Sequence, residues 1–443
     1  MAQRRDRREV VGQGVVGQGV VGQDIRGRNV LRHDVCIVGG GSAGYAAART
    51  ACDEGADVAI VDHGPLGGLC ILRGCMPSKA ILSSAHVMAL MTRAAEFGIE
   101  PVDARANLKA IIDRKDRLIR EFADYRIEQL RDPGFTLYEE RASFLSPRQL
   151  AVGECVIEAQ SIIIATGSVD TRISIPGIEE CGYLTSDDAL DLREQPQSLV
   201  VLGAGPVAVE LAQFFNRIGT RVSLIQRSSH ILSDGDEDLA RPIEARFREE
   251  GMAVYTGTQL QSVHRSREGV EVRFSHDGQS KSVKAETILK ALGRKPNVES
   301  LNLKAAGVEV RDGLVVVDEE MRTSQQHIFA VGDVNGLHEV VHIAVLQGEV
   351  AGHNAVSGSA AAKRVDDRLK VLVVFTDPAI ACVGLCEKEC DAAAIPYLAA
   401  SYPFDDHGKA MCLGETHGHV KLMCHPHTGE LIGGHIVGAD AGE

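Results

Sequence analysis

One pattern, written twice, constrains this chain more than any other feature. Gly39-Gly40-Gly41-Ser42-Ala43-Gly44 follows an apolar run, Asp34 to Val38, that reads as a strand. Ser42 to Glu54 then reads as a helix, and Asp57 to Asp62 as a second strand. Gly203-Ala204-Gly205-Pro206-Val207-Ala208 repeats the arrangement between the strand from Leu199 and a strand ending at Ile225. Asp62 lies 23 positions after Gly39, and Gln226 lies 23 after Gly203. Short strands joined through helices pack as a parallel sheet covered by helices. The expected class is therefore α/β, with two Rossmann-like units.

Each residue of such a turn has a reason. The first glycine, Gly39, makes the tight turn, and Gly41 lets a pyrophosphate approach the backbone. Gly44 lets helix and strand pack closely. Ser42 and Ala43 open the helix, whose free N–H groups face the phosphates. Asp62 stands where an acid accepts ribose hydroxyls. In the second turn Gly203, Gly205 and Ala208 take the three small positions. There Gln226 replaces the acid, and Arg227 follows it. A neutral residue beside an arginine removes repulsion against a 2′-phosphate, which tilts this unit toward NADPH over NADH. A solvated Arg227 at a strand end is the plain alternative.

Length and charge bound the rest. The 443 residues suggest about three domains. Residues 1–32 read as a low-complexity, disordered tail or a misassigned start, with VVGQ units in tandem between Val10 and Asp24. Residues 33–175 and 176–298 hold the two glycine turns, and 299–369 return to the first unit. From 370 to 443 the pattern changes to an α+β domain. Leu108, Ile111, Ile112, Leu118, Ile119 and Phe122 recur at helical spacing and are expected in the core, with Pro133-Gly134 ending that helix. A net charge of −14 with no tryptophan argues against nucleic acid. No apolar run reaches the roughly 18 residues of a membrane span. Eleven cysteines without a secretory pattern suggest a cytoplasmic protein with selected reactive thiols.

Two of those thiols stand together in Gly67-Gly68-Leu69-Cys70-Ile71-Leu72-Arg73-Gly74-Cys75-Met76-Pro77-Ser78-Lys79. Cys70 and Cys75 can bridge if a helical turn brings them close. Their spacing does not suit an isolated zinc half-site. A redox disulfide is the sharper reading, and two buried free thiols the plainer one.

This stretch resembles the active-site signature of the FAD-dependent pyridine nucleotide–disulfide oxidoreductases, among them dihydrolipoyl dehydrogenase, glutathione reductase and mercuric reductase. The other matching motifs are Ala165-Thr166-Gly167, Glu210 after the second turn, Gly293-Arg294-Lys295-Pro296-Asn297, Gly332-Asp333, Phe375-Thr376-Asp377-Pro378 and Val383-Gly384. The resemblance implies an FAD unit, an NAD(P) unit and a C-terminal dimerisation domain, in a homodimer. It implies that Gly39, Gly41, Gly44 and Asp62 hold the adenosine end of FAD. Gly68, Ala165, Thr166, Gly167, Arg294 and Gly332 join this site, and Asp333 holds the ribityl chain. Cys75 would be the charge-transfer thiolate, and Cys70 the interchange thiol. Lys79, paired with Glu210, would sit near the flavin N5. NAD(H) or NADP(H) would lie on Gly203, Gly205 and Ala208, with Gln226, Arg227 and Gly293 beside it.

Relatives of this kind end in a His and a Glu supplied across the dimer. This sequence stops at Glu443 before that segment, which suggests a truncated chain or a shortened protein, and no catalytic histidine is assigned. No metal site is expected. Cys382, Cys386 and Cys390, and Cys412, Cys424, His425 and His427, match no structural zinc pattern, and the resemblance places Cys382 on a strand. Dihydrolipoamide is the leading substrate. A glutathione-reductase-like or mercuric-reductase-like enzyme, or a flavin-binding subunit without turnover, are the rivals.

Overall fold

The computed structural model describes residues 22–23, 27–100, 103–267, 269–358, 361–366, 368 and 370–443. The VVGQ units expected to be disordered lie almost wholly outside the described residues. In the first unit, β1 (Gly22–Gln23) and β2 (Asn29–Val38) precede α1 (Ser42–Asp53) and β3 (Val58–Val61). Then come α2 (Gly68–Arg73), α3 (Cys75–Thr92), α4 (Leu108–Leu130) and β4 (Phe135–Tyr138). The sheet runs β4, β3, β2, then strands Cys155–Ile164, Gln149–Val152 and Ala142–Ser146, while Ile328–Ala330 also pairs with Cys155–Ile164. β2 pairs parallel with β3, Val35 to Val58, and with Cys155–Ile164, Ile37 to Ile163.

The folded part starts before the expected boundary at 33. Asn29 to His33 already pair with Cys155 to Ala159, and Gly22 and Gln23 pair with Val30 and Asn29. The charged Arg32-His33 step masked this continuity. His33 is buried because Tyr138 Oη lies 3.0 Å from its Nε2 and Asp57 3.2 Å from its Nδ1.

α4 has the expected helix but a shifted buried stripe. Leu108, Ile112, Lys115, Ile119 and Ala123 face inward, at steps of four and three. Phe122 falls off that stripe and is 50% exposed. Lys115 replaces it inside because its Nζ meets Asp116 at 2.7 Å and Asp191 at 2.8 Å.

The second unit is a parallel sheet ordered Ala253–Tyr255, Arg221–Ile225, Ser198–Leu202 and Thr287–Lys290. Its helix, Pro206–Arg217, follows the second glycine turn. Ser168–Asp170 and Arg294–Pro296 form a two-stranded ribbon where the chain leaves the first unit and returns to it. The C-terminal part is a five-stranded antiparallel sheet, Val371–Val374, Ala379–Gly384, Leu431–Gly438, His419–Cys424 and Leu398–Pro403 in spatial order. Cys382 is on a strand, while Cys390 lies in the helix Glu387–Ala393 that Cys386 caps.

A buried cation ties this C-terminal sheet to the second unit. Lys421 Nζ donates to Asp236 and Glu387 at 2.8 Å and to Asp238 at 2.9 Å, with its side chain 1% exposed. The three carboxylates stand close enough to hold a divalent cation, but the ammonium already lies among them. No helix of the described residues is long and apolar enough to cross a membrane.

Candidate active site

A cavity of about 580 Å³ opens where the two glycine-turn units and the C-terminal domain meet. Backbone contact shapes its first wall. Gly39 turns at φ +109°, and a Cβ there would lie 2.3 Å from the Ala165 carbonyl oxygen. Gly68 packs against Gly41 so closely that its Cβ would meet the Gly41 Cα at 2.6 Å. Bare backbone with free N–H groups is thus presented to the cavity, which suits a pyrophosphate. Thr166 Oγ1 is buried beside it without a partner, as expected where a ligand completes the hydrogen bonding. Asp62 is pinned by Gly40 N at 2.7 Å and Gly64 N at 2.8 Å, each donating to one carboxylate oxygen. These residues fit the adenosine and pyrophosphate of FAD.

The cavity collects most of the residues expected of it. Gly39, Gly41, Ser42, Ala43, Asp62, Gly68, Ala165, Thr166, Gly167, Arg294, Gly332 and Asp333 line it together with Cys70, Cys75, Lys79 and Glu210. Gly44 lies behind the wall, where a Cβ would sit 1.8 Å from the Gly39 oxygen. Gly293, Gly203, Gly205, Ala208, Gln226 and Arg227 lie outside the cavity lining. Gly203 repeats the Gly39 geometry, its Cβ 2.3 Å from the Ala291 oxygen. Gly205 caps the helix Pro206–Arg217, with nothing within 4 Å of a Cβ there. Ala208 is buried. The Gln226 side chain bends back to accept from Arg227 N at 3.1 Å, which leaves Arg227 exposed.

The cysteines sit on two helices interrupted at Gly74. Cys70 is in α2, and Cys75 is the first residue of α3, where free N–H groups favour an anion. Both are free thiols. The Cys70 thiol hydrogen-bonds to Cys75 and Lys79 adds its charge, which together lower the Cys75 pKa to about 7 from 9.0 despite burial. Giving that hydrogen bond, and burial, push Cys70 up, so it keeps its proton.

Lys79, one turn along α3, is held from across the molecule. Its Nζ donates to Glu210 at 2.8 and 3.0 Å and lies 4.4 Å from the centre of the Phe375 ring. Glu210 also accepts from Phe375 N at 2.9 Å, and its side chain is 5% exposed. One ion pair thus joins both glycine-turn units and the C-terminal domain. On the opposite wall Asp333 accepts from Ser168 Oγ at 2.6 Å, and Arg294 Nε donates to the same hydroxyl at 2.9 Å.

Since the folded pKa of Cys75 lies below its ordinary value, its thiolate is present above about 7 and is lost as pH falls through it. Any absorption band of the reduced holoenzyme that depends on this thiolate should be full at pH 8.5 and fade through about pH 7. Lys79→Met should move the midpoint upward. A titration of the band against pH in both proteins checks this, and a pH-independent band contradicts it.

Three contributors escaped the reading of the sequence. Ser168 follows Ala165-Thr166-Gly167 directly, so proximity to that motif was its signal. The Phe375 ring and backbone lay inside a quoted motif, but nothing local pointed them at Lys79. Glu339 lines the cavity with its pKa raised by burial and then by Asp333, and no spacing announced it.

Known proteins are similar to this chain. The family described as pyridine nucleotide-disulphide oxidoreductase matches residues 33–348, and its dimerisation domain matches residues 371–443. The chain is 35% identical over 413 residues to a mercuric reductase of Staphylococcus aureus, covering 93% of this chain and 75% of that protein. It is 32% identical over 416 residues to a dihydrolipoyl dehydrogenase of Bacillus subtilis (strain 168), covering 92% and 90%. Among solved structures it is similar to the HOCl-induced flavoprotein disulfide reductase RclA of Escherichia coli, with a TM-score of 0.79 and 25% identity over 92% of this chain and 90% of that one.

Proposed function

The chain belongs to the pyridine nucleotide-disulphide oxidoreductase family, FAD-dependent flavoproteins that use NAD(P)H, and from that premise we propose that it exchanges electrons with a dithiol or disulfide substrate through Cys70 and Cys75. The observation that carries this reading is the pair of thiols in the cavity wall, with Cys75 at the head of α3 and Lys79, held by Glu210, one turn away. Lipoamide and its dithiol are the leading substrate couple. Mercuric ion is the second reading, favoured by relatives 35% identical that carry the name mercuric reductase.

In the reducing direction, Cys70 loses its proton and its sulfur attacks one substrate sulfur, expelling the other. The Cys75 thiolate then attacks the Cys70 sulfur, frees the second substrate sulfur and closes the Cys70–Cys75 bridge. Two electrons leave the pair. The two expelled sulfurs take one proton from Cys70 and one from solvent. When bound, FAD supplies the two-electron relay between NAD(P)H and that bridge. Lys79 holds positive charge at the cavity wall, and Glu210 fixes its position. Arg294 and Ser168 hold Asp333 in place, and Asp333 would accept from the ribityl hydroxyls when FAD is bound.

In this reading residues 29–175 with 299–369 form the FAD unit, 176–298 the NAD(P) unit and 370–443 the dimerisation domain of a homodimer in the cytoplasm. The strand Leu398–Pro403 is exposed along its whole length, which supports pairing with a second copy. Gln226 and Arg227 support a preference for NADPH.

Anaerobic titration of the holoprotein with NADPH and, separately, NADH tests the reading. A long-wavelength band should appear at two electrons, at about tenfold lower NADPH than NADH, as a neutral residue beside an arginine predicts. Bleaching of the flavin without that band would refute the cysteine roles. Stimulation of NADPH oxidation by Hg(II), with no lipoamide reduction, would favour the second reading.

A further inference from the structure

Glu339 is an acid in the cavity wall that the chemistry above leaves unused. It stands in the irregular stretch between Gly336 and the helix Val341–Ser357, and it is exposed on the cavity that it lines. No hydrogen bond or ion pair from the described residues reaches its carboxylate. Three charges bear on it: Asp333 and Asp234 repel it, and Arg294 attracts it. Arg294 is committed elsewhere, because its Nε and Nη2 donate to the Ser168 hydroxyl and carbonyl, each at 2.9 Å. Burial first, and then Asp333, raise the Glu339 pKa, as expected of an acceptor without donors. The second glycine turn says what could bring them. Asp234 lies on a loop tied to that turn, with Leu232 N donating to the Ala204 carbonyl at 2.8 Å. Pro206 and Val207, the first residues of the helix after the turn, line the same cavity as Glu339, Lys79 and Glu210. A dinucleotide with its pyrophosphate at that helix start and its nicotinamide ring near Lys79 and Glu210 carries its second ribose through the cavity between them.

We propose that Glu339 binds the nicotinamide-side ribose of NAD(P)H, its carboxylate accepting hydrogen bonds from the sugar hydroxyls. This rests on the NAD(P)H-dependent reading above and extends it to a residue outside both glycine turns. The ribose is common to NADH and NADPH, so this contact is separate from the choice made at Gln226 and Arg227. An ionised acceptor makes hydrogen bonds roughly twice as strong as a neutral one, so the charge of Glu339 matters as well as its shape.

Three ligands separate the sugar from its neighbours. 2′,5′-ADP ends before the second ribose, ADP-ribose 2′-phosphate includes it, and NADP⁺ adds the nicotinamide ring. In calorimetric titrations of the FAD-loaded protein, E339Q should bind the last two about tenfold more weakly and 2′,5′-ADP as before. E339D, which keeps the charge on a shorter arm, should fall between. In turnover, KM should rise by one common factor for NADPH and NADH, with KM for the disulfide unchanged. Weakening of NADP⁺ alone would move the contact to the nicotinamide ring and overturn the ribose assignment. Equal weakening of all three ligands, or loss of FAD from E339Q, would overturn it as well, because Glu339 would then shape the wall or hold the flavin. Tighter NADP⁺ binding by E339Q would mean that the carboxylate only repels the pyrophosphate, and the proposal would fall. If the wild type binds the ligands and E339Q changes nothing, this proposal falls and the reductase reading stands. If the wild type binds none of them, the NAD(P)H reading falls and this proposal falls with it.

Discussion

Cys75→Ser is expected to lower NAD(P)H-driven disulfide reduction by about 10⁴-fold or more, because serine closes no bridge and forms no thiolate at neutral pH. The change is nearly isosteric, so the cavity wall should survive. Cys70→Ser should be equally inactive and yet look different. It leaves the Cys75 sulfur at the head of α3 with Lys79 one turn away, so this variant should show the long-wavelength band already before reduction, while its flavin is oxidised, and lose it on reduction because no bridge is left to take the two electrons. Cys75→Ser should show no band. Steady-state turnover and an anaerobic titration of both variants read the two outcomes. A band in Cys75→Ser, absent in Cys70→Ser, would exchange the roles of the two thiols.

Lys421→Met should destabilise the protein by about 3–5 kcal/mol, the range for removing one partner of a buried ion cluster. Methionine fills much of the volume, so the cost is electrostatic. Asp236, Asp238 and Glu387 would face one another without their shared cation. Burial pulls the Asp236 and Asp238 pKa values up, but hydrogen bonds from Lys421 and its neighbours hold both below the ordinary value. Their stabilising effect is therefore present above the unfolded pKa and is lost as pH falls through the lower folded value. In Lys421→Met those folded values rise, so its deficit should be largest at pH 8 and shrink toward pH 4. Urea unfolding at the two pH values measures this, and Asp236→Asn should restore part of the loss. An equal deficit at both pH values would mean that packing, not charge, is what Lys421 supplies.

How much was legible in the chain followed the range of each interaction. The glycine turns could be read because Gly39 and Gly203 meet demands set within a few residues, a tight turn and a helix start. The Cys70 to Lys79 run could be read because it is contiguous in the chain, although its two thiols stand on α2 and α3, either side of Gly74. The face of α4 was misjudged at Phe122, since apolarity stood for burial and the ion pairs that let Lys115 go inside come partly from Asp191, far along the chain. The early start of β2 was hidden because its partner, Cys155–Ile164, lies more than a hundred residues away. Glu339 and the contact of Phe375 with Lys79 depend on where separate units dock, which no local pattern records.

The long helix that starts at Cys75 has a mechanical side. Near its tail His86 lies 3.6 Å from Asp377, and Arg93, just past its end, pairs with Glu415 and donates to the Gly414 carbonyl at 2.7 Å. It is a beam with its far end bolted to the C-terminal domain and a reactive sulfur at its tip. Eighteen residues span about 27 Å at the helical rise, so a tilt of about 2° moves the tip by about 1 Å. A misplacement of that size can cost about a hundredfold in rate where reacting atoms must align. The tolerance on the sulfur is thus set at the other end of the beam. A largely buried ion pair far from the cavity, Arg93 with Glu415, sits on the same lever as the chemistry.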